Sequence, residues 1–141
     1  GYGEQAEMLN EKINDLDLSD CCYYLGPKTH RELSELYNQA DIMIFPTMLY
    51  ESLGLVGIEA MACGCPVIGS DIGCLPEYIK EGITGFLFEP GNSHELAERI
   101  VDFYKLTEKQ RNTMRLEAIR YVDKYESRKI SQALINKIKE I

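Results

Sequence analysis

Ser52–Ser70, SLGLVGIEAMACGCPVIGS, is an apolar run of nineteen residues broken by four glycines (54, 57, 64 and 69), one proline and one carboxylate, Glu59. A second carboxylate, Glu51, stands immediately before it. The interruptions make a poor membrane-spanning helix. They fit a helix that begins near Leu53, stops at Gly64 as its C′ residue and gives way to a buried strand over Pro66–Gly69. An ionised carboxylate inside such a segment costs several kcal/mol, of order, unless something polar binds it. Glycine also lets backbone approach a ligand or another element closely. The run therefore reads as a strand-to-helix junction carrying a ligand site.

Outward from this junction the chain alternates helix and strand. Upstream, Ile42–Phe45 is a strand-like run stopped by Pro46, and Cys21–Leu25 is another short apolar run, ending at Gly26-Pro27. Between them Thr29 and Glu32 form a capping-box signature, followed by a stripe of Leu33, Leu36, Tyr37 and Ala40. Ala6, Leu9, Ile13 and Leu16 recur at helical spacing before that. Downstream, Phe86–Phe88 predicts a short strand before Pro90-Gly91. Asn92 with Glu95 and Thr107 with Gln110 are caps for two helices, carrying Leu96, Ile100 and Phe103, then Met114, Ala118, Tyr121, Val122 and Tyr125. Ile130, Leu134, Ile138 and Ile141 give a last amphipathic stripe. Short apolar strands separated by amphipathic helices imply a parallel sheet covered on both faces, a Rossmann-like α/β fold. Gly1-Tyr2-Gly3 is turn chemistry that normally follows a strand, so residues 1–141 are expected to be one partial domain whose first strands lie elsewhere.

Composition narrows the function classes. The chain has 141 residues, a net charge of −8 and 45% hydrophobic residues. An acidic balance argues against a nucleic-acid partner or an anionic membrane surface, both of which need clustered Lys and Arg. Five cysteines (21, 22, 63, 65 and 74) contain no CxxC pair, and His30 and His94 stand alone at expected helix starts. No metal site is expected, and buried reduced thiols in a cytoplasmic protein are the preferred reading.

In open parallel sheets, ligands bind beyond the carboxyl ends of the strands and beside helix N-termini. The unpaired amides of Leu53, Gly54, Leu55 and Val56 would form an anion site suited to phosphate. Glu59 lies one and a half turns further on, and its side chain leans back toward that end. Phosphate flanked by two carboxylates that bind hydroxyls describes a nucleotide-sugar. The alternative from residues alone is that both glutamates pair internally.

The segment FPTMLYESLGLVGIEAMACGCPVIGSDIGCLPEYIKEGITGFLFEPGNSHELAERI resembles the C-terminal, donor-binding half of GT-B retaining glycosyltransferases of the family 4 type. Glu51 and Glu59 match that family's E-x7-E element, SDIGCLPEYI its turn with a Pro-Glu pair, and YYLGPKTHRELSELYNQADIMIFPT the stretch ahead of it. The likeness is close over about residues 21–105. It implies that Glu51 is the catalytic-site residue contacting the donor sugar, that Glu59 holds ribose, and that Gly54 and Leu55 offer amides to sugar and diphosphate. It implies further that Gly26, Pro27 and Lys28 lie near the base. The donor would be a UDP- or GDP-type sugar, with no metal or other cofactor. The acceptor (a glycan, lipid or other hydroxyl) would be met by an N-terminal domain absent here, in the cytoplasm or at the cytoplasmic face of a membrane. Gly73-Cys74 departs from the family's paired glycines, and the family's basic diphosphate-binding pair falls before Gly1. Two rival functions are a non-catalytic α/β interaction domain and a nucleotide-sugar epimerase or phosphorylase of similar architecture.

Overall fold

A computed structural model describes residues 5–126. Gly1-Tyr2-Gly3 and the stripe Ile130, Leu134, Ile138 and Ile141 lie outside the described residues. The chain divides into two compact units, Gly1–Glu35 and Leu36–Ile141.

The first unit holds α1 (Ala6–Asp15) and the start of α2 (His30–Gln39). Helix α1 has the expected position, but none of its residues is buried. Helix α2 begins with the expected reciprocal cap: Thr29 N–H donates to Glu32 Oε2 at 2.8 Å, and Glu32 N–H to Thr29 Oγ1 at 3.3 Å. The expected strand over Cys21–Leu25 does not form. Extension is favourable only when backbone groups meet another strand. Here the Cys21 and Cys22 amides instead donate to Leu18 O, at 3.0 and 2.8 Å. The Tyr23 hydroxyl returns to Asp20 O at 2.6 Å. Both thiols are consequently exposed rather than buried as expected.

The second unit contains β1 (Met43–Phe45), α3 (Leu55–Ala62), β2 (Val67–Ser70), α4 (Leu75–Tyr78), β3 (Gly85–Phe88), α5 (Ser93–Lys105) and α6 (Glu108–Val122), then a 3-10 turn over Asp123–Tyr125. The strands form a parallel sheet in the order β1-β2-β3, with Ile44 opposite Ile68 and Ile68 opposite Phe86. Side chains alternate across it with period two. Met43, Phe45, Val67 and Leu87 face a cluster built with Ile58, Ala60 and Met61 of α3 and Ala118 and Val122 of α6. Ile42, Ile44, Ile68, Phe86 and Phe88 face the opposite cluster, with Leu96, Ile100 and Phe103 of α5 and Met114. Both faces are covered, which is the architecture the alternating pattern predicts. The downstream caps are also as expected: Glu95 N–H donates to Asn92 Oδ1 at 3.0 Å, and Thr107 with Gln110 completes a capping box on α6. The helix α4, over Leu75–Tyr78, is an element the periodicity did not reveal.

Candidate functional site

Beyond the carboxyl end of β1, Pro46 ends the ladder because it has no N–H to donate. The chain then runs over the surface through Tyr50, which is 82% exposed, to the half-buried Glu51. The backbone of Glu51 is fixed in place. Its carbonyl accepts the Cys74 N–H at 3.1 Å. A Cβ on Gly73 would lie 2.6 Å from Glu51 O and 2.8 Å from Glu51 N, and Gly73 adopts φ +61°. Gly73 is thus the glycine that holds the two loops together. Cys74, the departure from the family pattern, is accommodated with its side chain buried against the first cluster.

Helix α3 starts two residues later than expected. Gly54 is its N-cap in a left-handed conformation, φ 60° and ψ 50°, so Leu53 lies outside the helix. The Gly57 amide is satisfied by Gly54 O at 2.9 Å. First-turn amides have no acceptor within their own helix. Leu55 and Val56 thus supply first-turn donors at this end, following the Leu53 and Gly54 amides of the loop. Leu55 and Val56 are 59% and 40% exposed, so the first turn lies at the surface, while Gly54 is buried. The far end closes as expected on Gly64, φ +72°. Its amide reaches Met61 O and that of Cys65 reaches Ala60 O, at 2.9 and 3.0 Å, the Schellman pattern.

The close approach expected at Gly54 is made by another element, α4. A Cβ there would meet Tyr78 Oη at 2.7 Å and Phe45 Cε1 at 3.2 Å, and one on Gly57 would meet the same hydroxyl at 2.5 Å. The two glycines make room for Tyr78, whose hydroxyl donates to Gly54 O at 3.2 Å. Burial pushes the Tyr78 phenol well above its ordinary value, and the nearby Cys74 and Glu51 act in the same direction, so it remains a donor. Tyr78 therefore sets the position of the α3 N-terminus. The Gly54-x-x-Gly57 spacing signals a close approach in the sequence, but not which side chain fills it.

Glu59 sits on the α3 face shared with Leu55 and Val56, four and three residues back. It borders a cavity of about 370 Å³ with Ile58, Ala62, Ile119 and Tyr125. Its charge helps burial raise the Tyr37 phenol and the Cys63 thiol. Glu51 acts instead on Cys74 and Tyr78, in each case behind burial. Gly26, Pro27 and Lys28 belong to the first unit, where Gly26 takes φ +66° and Lys28 donates to Leu25 O. Among the described residues no three His, Cys, Asp or Glu side chains are grouped to hold a metal ion. No helix there is long and apolar enough to cross a membrane.

Comparison with known proteins gives this arrangement a family. Residues 1–120 match the family model of glycosyl transferases group 1. The N-acetyl-alpha-D-glucosaminyl L-malate synthase of Bacillus anthracis is 35% identical over 112 residues, which are 79% of this chain and 29% of that protein. The fold superimposes on Anabaena HepE in complex with UDP with a TM-score of 0.88, at 27% identity, covering 100% of this chain and 39% of HepE. The C-terminal domain of the group 1 family protein LpcC from Francisella tularensis gives a TM-score of 0.70, at 26% identity, covering 86% of this chain and 62% of that one. The chain spans less than a third of the curated relatives it matches, 29% and 25% of the first two. This match across most of its length makes the chain a member of the group 1 glycosyltransferases, and its covered parallel sheet has the Rossmann-like α/β fold of GT-B enzymes.

Proposed function

We propose that this chain is the donor-binding part of a retaining, family 4 type glycosyltransferase that moves a hexosyl group from a UDP- or GDP-sugar to a hydroxyl acceptor. The observation that carries the reading is the solvent-facing start of α3, with Glu51 fixed just before it and Glu59 one turn inside. HepE, which shares the fold, is described in complex with UDP and with UDP-glucose.

In this reading Leu53–Val56 wrap the diphosphate, with the Leu55 and Val56 amides and the positive end of α3 as its donors. Glu51 accepts hydrogen bonds from sugar hydroxyls, and Glu59 from the ribose diol. As the bond between the sugar C1 and the diphosphate oxygen breaks, negative charge grows on the leaving group. The same two amides stabilise it more strongly than in the ground state. The acceptor oxygen bonds C1 from the face the diphosphate leaves, its proton passing to the departing diphosphate oxygen, so the configuration at C1 is kept. The reading invokes no metal or cofactor. Gly26, Pro27 and Lys28 are assigned to the base, and the acceptor to a further domain. The setting is cytoplasmic or at the cytoplasmic face of a membrane.

The test is a titration with UDP, GDP and UDP-glucose followed by amide NMR, in the unaltered protein and in Glu59→Gln. Shifts at residues 51–59 with one nucleotide, and at least about tenfold weaker binding in the variant (about 1.4 kcal/mol), are expected. Unchanged affinity in Glu59→Gln, or shifts confined to distant residues, would contradict the assignment.

A further inference from the structure

Among the described residues strand β3 lies at one edge of the sheet, with β2 as its one strand neighbour. In a parallel ladder the N–H and C=O of alternate residues point to the same side. Phe86 and Phe88 point toward β2, where Asp71 N–H donates to Phe88 O at 2.8 Å. Gly85, Leu87 and Glu89 point outward. Such a row of open groups on a GFLF segment is a template for another strand.

In this molecule the row is occupied. Gly85 O accepts the Gly82 N–H at 2.9 Å. Leu87 N–H donates to Glu81 Oε2 at 2.9 Å, and Leu87 O accepts from Arg99 Nε at 3.0 Å. Glu89 N–H donates to Glu95 Oε2 at 2.8 Å. Arg99 is held in turn by Glu95 at 3.2 Å and Glu81 at 3.4 Å, with Asp102 at 3.9 Å. One guanidinium and two carboxylates thus satisfy both edge groups of Leu87 and the amide of Glu89, as a neighbouring strand would.

We propose that Glu81, Arg99 and Glu95 form an edge clasp that stands in for a strand on β3 and bars a second copy of this chain from pairing there, β3 against β3. The partner is another copy because a two-fold antiparallel contact sets the same GFLF segment opposite itself. The clasp opposes that contact twice. It uses the hydrogen-bonding groups, and it would bring Glu81, Glu89 and Glu95 of both copies together.

The full chain carrying Glu81→Ala with Arg99→Ala tests this, since the pair leaves net charge unchanged. Sedimentation velocity is expected to show self-association at a concentration at least about tenfold below that of the unaltered protein, equivalent to about 1.4 kcal/mol. Exchange of the Leu87 amide should be fast when dilute and slow when concentrated. Glu81→Gln with Arg99→Lys, which keeps an acceptor and a donor, should behave as the unaltered protein. Thr107→Ala loses the α6 cap without touching the edge and should not associate. If the double alanine variant is recovered unfolded, Arg99→Ala alone decides, with association expected through the freed Leu87 carbonyl. Folded variants that stay unassociated with concentration-independent exchange at Leu87, or a Thr107→Ala protein that associates equally, would overturn the proposal.

Discussion

Substituting Gly57 by Ala tests directly whether Tyr78 is the strut beneath the proposed donor site. The new methyl would lie 2.5 Å from Tyr78 Oη and 3.1 and 3.2 Å from Cε2 and Cζ. The ring has little room to yield: Tyr78 is 0% exposed, its hydroxyl is bonded to Gly54 O, and its carbonyl accepts from Thr84 Oγ1 at 2.9 Å. Overpacking of this kind costs about 1–3 kcal/mol. Alanine returns up to about 1 kcal/mol through helix propensity, so a net loss of about 1–2 kcal/mol is expected. Tyr78→Phe removes the crowding oxygen. Its own cost should fall near the low end for a lost hydrogen bond, about 0.5–1 kcal/mol, because Gly54 O still accepts the Gly57 N–H at 2.9 Å. In the double variant the methyl occupies the space the oxygen left. Its stability should therefore exceed the additive sum by about 1–2 kcal/mol, well outside the scatter of about 0.3–0.5 kcal/mol for independent sites. Urea unfolding of the four proteins gives the cycle, provided m is constant. Additivity within that scatter would mean the hydroxyl does not lie under Gly57, and the account of how α3 is positioned would fail.

Two further outcomes are expected. Burial pushes the Cys65 thiol up to about 11 from its ordinary 9.0. The folded state then holds a proton that the unfolded chain releases, so stability is complete below pH 9 and falls as pH rises toward 11, by up to about 1.4 kcal/mol per unit for one proton. Urea midpoints measured across that window should fall less steeply in Cys65→Ala, and an identical slope would refute the assignment. Ser70 is fully buried and its Oγ has no hydrogen-bond partner among the described residues. Ser70→Ala should therefore be neutral or stabilising by about 1 kcal/mol, whereas a clear loss of thermal stability would show that the hydroxyl is bonded.

The parts of this molecule legible in its sequence are those fixed by local physics. Thr29 with Glu32, Asn92 with Glu95, and Thr107 with Gln110 announce helix starts because the cap is closed within three residues. Gly64 marks a stop because its φ of +72° is a local need. Period-two strands of Ile, Val and Phe between amphipathic helices can bury both patterns only as a covered parallel sheet. Cys21–Leu25 fails as a strand because an apolar run specifies extension only when a partner supplies its hydrogen bonds, and that information is not local. The start of α3 was misplaced for a related reason. Nothing in Leu53-Gly54-Leu55 says that a tyrosine 24 positions away will take the space beneath Gly54 and fix that residue as a left-handed cap. The two carboxylates were visible as chemistry, since a charge in an apolar run demands an explanation. Their surroundings were not, because Glu51 is held by the Gly73-Cys74 turn and Glu59 faces α6, both distant in the chain. The proposed site is thus assembled from residues the sequence identifies and held by contacts that only the tertiary fold supplies. Substitutions at Gly73, which packs on the Glu51 backbone, or at Tyr78, which bonds Gly54 O, should therefore weaken donor binding in the same NMR titration that reads changes to the glutamates themselves.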